Sequence, residues 1–320
     1  MLDILAITTP VFVLIAVGFG AVRTGLFSTA DVRALGRFVI QFALPALLFK
    51  TLSQRSFGEI MNLRFILAYL LGSLLACVAA ALFARYVKKH APLSAVFVGM
   101  GSSMSNSIFL GLPIALQVIG PVASVIVALV VMVENLLMLP LLLAAAESLG
   151  KPGLGLLPAL RRIFERLLKN PLVIAISAGF AASLLELAIP APVARAIDLL
   201  SVTSAGVALF VVGGNLVRIP VGGLLGDVGL ISFAKLVLHP AAVVLALWLV
   251  PGVDPAYQAG AVLIACVPML SIYPILGQQY GLESLCSAAL VATTVASFIT
   301  VALWIWAVGQ AGLLAASAPG

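Results

Sequence analysis

A chain of 320 residues that is 63% hydrophobic and 9% charged has too few charges to cover itself in water, since soluble domains carry about 25%. Its net charge of +6 is therefore read as a record of membrane orientation, and nucleic-acid binding is not expected. The three cysteines, Cys77, Cys266 and Cys286, lie inside apolar runs, at spacings that suit neither a disulfide framework nor a metal site.

In chain order, the apolar runs read as membrane spans. Runs such as Phe65–Phe83 and Pro121–Ala146 are apolar all round and long enough to cross roughly 30 Å of hydrocarbon as helices. A barrel strand would alternate apolar and polar residues, so helices are expected. Met1-Leu2-Asp3-Ile4 has no basic n-region and no small-residue cleavage site follows closely, so 4–22 reads as a retained span. The others fall at about 30–49, 64–84, 93–119, 121–145, 171–189, 194–216, 228–250, 256–281 and 284–309. The 147–170 connection holds Pro158–Lys169, whose apolar residues recur at helical spacing beside a basic face. That pattern predicts a helix lying along the membrane surface.

Orientation follows from the basic residues. With the N-terminus outside, the inner loops hold twelve (Arg23, Arg33, Arg37, Arg85, Lys88, Lys89, Lys151, Arg161, Arg162, Arg166, Lys169 and Arg218), against Lys50, Arg55, Arg64 and Arg195 outside. The excess predicts that both termini lie outside the cytoplasm of a bacterial-type inner membrane, with the protein multi-pass. The division is then 1–146, a first five-helix repeat; 147–170, a cytoplasmic amphipathic linker; 171–310, a second, inverted repeat; and 311–320, a short tail.

Five spans per half force the second half, if related to the first, to enter from the opposite side. A shift of 162 residues lays Arg33, Ala34, Ala43, Ala46 and Leu47 on Arg195, Ala196, Ala205, Ala208 and Leu209. The same shift sets Asn106 on Pro268 and Pro113 one residue from the equivalent of Pro274. The fold class expected is thus an all-α membrane protein of ten transmembrane helices, with helices four and nine broken and crossing at mid-membrane.

Span four contains Gly99-Met-Gly-Ser-Ser-Met-Ser-Asn-Ser-Ile-Phe-Leu-Gly-Leu-Pro113, and span nine Cys266-Val-Pro-Met-Leu-Ser-Ile-Tyr-Pro-Ile-Leu-Gly-Gln-Gln-Tyr-Gly281. Proline lacks an N–H and clashes with the carbonyl four residues earlier. Pro113, Pro268 and Pro274 are therefore expected to free the carbonyls of Phe109, Ile264 and Leu270, which lipid cannot satisfy. Half-helix N-termini exposed at such breaks suit an anion. Ser103, Ser105, Asn106, Gly111, Pro113, Pro268, Ser271, Tyr273, Pro274 and Gln278 are the residues expected to bind substrate there, with Ser102 as a further neutral hydrogen-bonding group nearby. Ordinary kinks with small residues at helix contacts are the other reading; two breaks at matching positions favour a crossover site.

Ionisable residues within spans are Glu134, Lys235 and His239. Such residues face a cavity or a partner. Lys235 is a candidate to neutralise an anionic substrate or to snorkel, Glu134 to carry a coupling proton, and His239, before Pro240, to cap a freed carbonyl. Gln41 with Pro45, and Asn215, are candidates for lining the same cavity or for bonding between helices. A phosphate-binding loop is not formed, because Gly150-Lys151 is followed by Pro152, and no HExxH sequence or catalytic set is present.

The segment Asn106-Ser-Ile-Phe-Leu-Gly-Leu-Pro113 resembles the fourth-span motif of the auxin efflux carrier family, and Ile275-Leu-Gly-Gln-Gln-Tyr-Gly281 is similar to its ninth-span motif. Pro10-Val-Phe, Gly18-Phe-Gly-Ala, Gly25-Leu-Phe27 and Phe42-Ala-Leu-Pro45 resemble its first two spans. The resemblance implies ten-span carriers in which spans four and nine cross beside a scaffold and a moving unit. It places Asn106, Pro113 and Pro268 at the crossover, and the Ser271-Ile-Tyr-Pro274 variant is closer to malonate-type bacterial members. The function expected is alternating-access transport of a small organic anion, a mono- or dicarboxylate such as malonate. No cofactor is expected beyond a coupling proton or sodium ion, and a homodimer fits the resemblance. A sodium-coupled bile-acid-type symporter and a non-transporting sensor or assembly protein are the alternatives.

Overall fold

The computed structural model describes residues 2–54, 62–150, 168–218 and 225–314. The surface helix expected over Pro158–Lys169 falls largely on residues 158–167, outside the described residues, as do 315–320 of the tail. Helices make up nearly all of what is described. In chain order they are α1 (Leu2–Arg23), α2 (Thr29–Ser53), α3 (Leu63–Val87), α4 (Pro92–Ser103), α5 (Ser107–Ile119), α6 (Val122–Leu149) and α7 (Pro171–Leu184). The remainder are α8 (Ala191–Asn215), α9 (Gly226–Leu249), α10 (Pro255–Ala265), α11 (Tyr273–Gln278) and α12 (Glu283–Gln310). Six of them (α2, α3, α6, α8, α9 and α12) are long and apolar enough to cross a membrane.

Local chemistry fixes the helix ends. Ser28 and Asp31 form a capping box at α2, each side chain accepting the other's backbone N–H at 3.2 and 2.8 Å. Asn62, Asn170 and Asp254 cap α3, α7 and α10 through backbone N–H groups at 3.0, 2.9 and 2.9 Å. Pro92, Pro171 and Pro255 open their helices, where a missing N–H costs nothing.

Prolines inside helices are handled differently. Wide π-helical turns at Val39–Ala43, Ser107–Gly111, Val133–Met138 and Ala234–Leu238 are each followed, two residues after their end, by Pro45, Pro113, Pro140 or Pro240. The wider turn accommodates the proline ring and its lost hydrogen bond without ending the helix. The actual interruptions of the two broken helices lie upstream of Pro113 and Pro274: the chain leaves the helix after Ser103 and after Ala265, and resumes at Ser107 and Tyr273. A π-turn absorbs Pro113, and Pro274 opens a new helix, so neither proline makes the break.

The helices pack in two sets. α1 lies along α8, and α2 along α7 and α8; α3 packs on α4 and α9, α9 on α10 and α12, and α11 on α12. α5 and α10 touch each other and α6. Where α1 crosses α8 the backbones nearly touch: a Cβ on Gly213 would run into the Ile15 carbonyl, and one on Gly18 into that of Phe210. Small residues at a crossing allow this approach, which is how helices gain dispersion contacts in lipid. Outward faces carry Val202, Trp248 and Ile299 with 75%, 77% and 69% of their surface open, which suits hydrocarbon and not water.

Candidate functional site

The site forms where the two interruptions meet. Met104 is extended, at φ −102° and ψ 134°, and Ser105 pairs antiparallel with Met269. The Asn106 N–H donates to the Pro268 carbonyl at 2.7 Å. This short ladder satisfies backbone groups that the helix breaks would otherwise strand in the protein interior. Asn106 also ties the pieces together through its side chain. Its Nδ2 donates to Ser271 Oγ at 2.9 Å, and its Oδ1 accepts the Phe109 N–H at 3.3 Å, capping α5.

Tyr273 locks the second piece onto α4. Its hydroxyl donates to the Phe97 carbonyl at 2.7 Å, and its ring passes Gly101, where a Cβ would sit 2.7 Å from the ring. Glycine at 101 is therefore required by the ring that crosses it.

Behind the crossover lies a buried polar cluster. Glu134 Oε1 accepts from the Ser105 N–H at 2.9 Å and the Tyr69 hydroxyl at 3.2 Å, while Oε2 accepts from the Ser107 hydroxyl at 2.5 Å. Lys235 Nζ donates to Ser105 Oγ at 3.1 Å and to the Ala265 carbonyl at 2.6 Å, and lies 3.1 Å from His239 Nδ1. His239 Nε2 lies 3.0 Å from Ser73 Oγ. With Lys235 as an ammonium, which only donates, His239 Nδ1 would accept and Nε2 would carry the proton toward Ser73. Tyr69, Ser73, Ser105, Glu134, Lys235 and His239 are all buried. Buried charges persist when paired and fully hydrogen-bonded; here Ser105 joins the carboxylate to the ammonium. Glu134 and Lys235 both lie within π-turns, irregularities that collect at functional sites.

A cavity of about 170 Å³ abuts the crossover. Ser105, Asn106 and Ser107, Glu134 and Asn135, Asn170 at the start of α7, Ser271, and Ile40 of α2 contribute to its wall. Of the residues expected to bind substrate, Ser105, Asn106 and Ser271 therefore line it. Ser103 donates to the Gly99 carbonyl at 2.8 Å inside α4. Gly111 abuts Ile264, and Pro113 is buried within α5. Pro268 lies within the second break, Tyr273 and Pro274 open α11 just after it, and Gln278 is exposed. Glu134 faces the cavity, whereas Lys235 and His239 stand behind it. Gln41 and Asn215 are exposed, and neither they nor Pro45 are part of the cavity wall. Tyr69, Ser73 and Ser107 join the cluster without having been marked by the sequence, since hydroxyls are common in membrane helices; Ser73 and Lys235 lie 162 residues apart, the same shift that lays Arg33 on Arg195.

The model of a family described as "Membrane transport protein" matches residues 4–154 and 157–305. A protein named "Putative malonate transporter" from Rhizobium meliloti (strain 1021) is 32% identical over 306 residues, covering 94% of each chain. "Probable auxin efflux carrier component 3b" of Oryza sativa subsp. japonica is 26% identical over 45% of this chain and 25% of its own. "Auxin efflux carrier component 4" of Arabidopsis thaliana is 27% identical over 46% of this chain and 24% of its own. The chain is thus a multi-pass membrane protein and belongs to the membrane transport protein family, together with the auxin efflux carriers.

Proposed function

We propose that this chain is an alternating-access carrier for a small organic anion, a mono- or dicarboxylate such as malonate, with its binding site at the crossing of the two broken helices. The observation that carries the reading is the cavity beside Asn106. Its walls offer neutral hydrogen-bonding groups and the N-terminal turn of α5, whose first N–H groups carry partial positive charge. The one carboxylate in the wall, Glu134, is matched by Lys235 through Ser105, so an incoming anion meets a site without net negative charge. The name of the R. meliloti relative supports malonate as the first candidate.

The proposed architecture is ten crossings in two inverted repeats, and the helix boundaries support it. Thr29–Ser53 shifted by 162 residues coincides at both ends with Ala191–Asn215. The ends of α4 and α10, Ser103 and Ala265, are also 162 apart. Leu63–Val87 and Val122–Leu149 fall within one residue of Gly226–Leu249 and Glu283–Gln310. Packing repeats too: α1 against α8 becomes α7 against α2 when the halves are exchanged. In this reading α1, α2, α7 and α8 form a scaffold past which the remaining helices move. The cavity extends from the crossover to Asn170, on the side of the 147–170 linker; the excess of basic residues there supports a cytoplasmic assignment of that side.

Thermal unfolding of purified protein against a panel of small carboxylates tests the assignment. At a concentration about 100 times Kd, a bound anion contributes about 2.7 kcal/mol of apparent stability. Stabilisation by at least one carboxylate, lost in Asn106→Ala while the variant still unfolds cooperatively, is expected. Undiminished stabilisation in Asn106→Ala would remove the site from the crossover.

A further inference from the structure

We propose that the Lys235 ammonium is a tethered cation that fills a cation position at the broken end of α10, so that the crossover needs no sodium ion. The inference rests on the carrier reading for its meaning in transport, but on geometry alone for its chemistry. The C-terminal end of a helix carries partial negative charge and unpaired carbonyls. At the end of α10 the Ala265 carbonyl accepts from Lys235 at 2.6 Å. Ser105 Oγ and His239 Nδ1 complete the shell at 3.1 Å each, and Glu134 supplies the negative charge one hydrogen bond further, through the Ser105 N–H. A carbonyl, a hydroxyl and a nearby carboxylate are the oxygen donors that a small hard cation seeks. Here three N–H donors of one ammonium have three acceptors, and Lys235 is fully buried. The lysine therefore has no free donor to offer a substrate in the cavity, and its role is that of an internal counter-ion.

The matching position in the first half strengthens the point. The residue 162 before Lys235 is Ser73, and the one 162 before His239 is Cys77. The cation is thus built in at the end of α10 only, while the carboxylate is bonded to Ser105 and Ser107 of the other break. A mobile sodium ion in the same place would clash with Nζ and face two positive charges around one carboxylate.

Unfolding of the full chain in detergent, in sodium chloride against choline chloride, reads this without any substrate. The wild type is expected to show the same Tm in both salts. Lys235→Ala, which empties the position, is expected to fall by on the order of 10 °C in choline and to recover a saturable part of that loss in sodium. Should Lys235→Ala not survive purification, the pair Lys235→Met and Glu134→Gln/Lys235→Met decides. Removing both charges is expected to restore Tm by several degrees over removing the cation alone. A saturable sodium stabilisation of the wild type would overturn the proposal. So would a Lys235→Ala protein indifferent to sodium, or a double variant no more stable than Lys235→Met. A protein that meets these expectations yet binds no carboxylate would fault the carrier's substrate, not the tethered cation.

Discussion

Glu134 takes hydrogen bonds from three donors on two segments of chain, Tyr69 in α3 and Ser105 with Ser107 at the crossover. Glu134→Gln alone leaves Lys235 buried without its counter-charge, and breaking a buried pair from one side costs about 3–5 kcal/mol. A large drop in thermal stability is expected, measured beside Lys50→Gln, which breaks the half-exposed pair with Asp198 at 2.8 Å and should cost about 1 kcal/mol or less. Equal losses in the two variants would mean that the buried cluster is not a charge pair. Residues of this kind are legible in sequence when they are ionisable, because Glu134, Lys235 and His239 stand out in apolar runs. Tyr69 and Ser73 do not stand out, and their part in the cluster depends on how α3 is rotated against α9, which no spacing in one helix reveals. The same limit applies to Lys235. Its charge suggested contact with substrate, yet its donors are spent on Ser105, Ala265 and His239.

Among elements, the recurring device is a π-turn that ends two residues before a proline. It adds a residue to a turn, and so it re-aims the side chains within it while the helix continues. In α9 that turn holds Lys235 and precedes Pro240. Replacing Pro240 with Ala removes the reason for the wide turn, and a regular helix would rotate Lys235 out of register with Ala265. Pro240→Ala is expected to keep its helix content by circular dichroism yet to lower uptake several-fold; unchanged uptake would show that the turn is not needed to aim the lysine. A second expectation concerns the α1–α8 crossing, where Gly213 meets the Ile15 carbonyl. Gly213→Leu should separate these helices and lower Tm far more than the same change at Gly206, which has open space around it. The sequence places the long helices well, since apolar runs and capping residues are local signals. Asn106 and Pro268 fall within the breaks, but Pro113 and Pro274 lie downstream of them, because proline marks a lost helical hydrogen bond while the chain at the break is held by the long-range pairing of Ser105 with Met269.

For the molecule as a whole, the proposed transport cycle moves two bodies along a seam between α2 and the α5–α6 corner. A second cavity of about 570 Å³ lies on that seam, walled by Lys50, Thr51, Gln54, Leu116, Pro121 and Ser124. Joining Gln54→Cys to Pro121→Cys with a flexible bismaleimide ties the two bodies together, and uptake is expected to stop. Leu52 and Gly179 fall within one body of the proposed cycle, with their Cβ positions 2.9 Å apart, so a cross-link between cysteines placed there should leave uptake intact. The three native cysteines are buried, which keeps the background labelling low. Cross-links with the reverse effects would contradict the division into scaffold and moving unit.

The most direct test of a carboxylate site at the crossover is flux of labelled malonate into proteoliposomes carrying the wild type, Asn106→Ala or Ser271→Ala. The account predicts saturable uptake by the wild type, loss in Asn106→Ala and a weakened apparent affinity in Ser271→Ala, all with folded protein. Saturable uptake that survives Asn106→Ala unchanged would place the transport pathway elsewhere in the molecule.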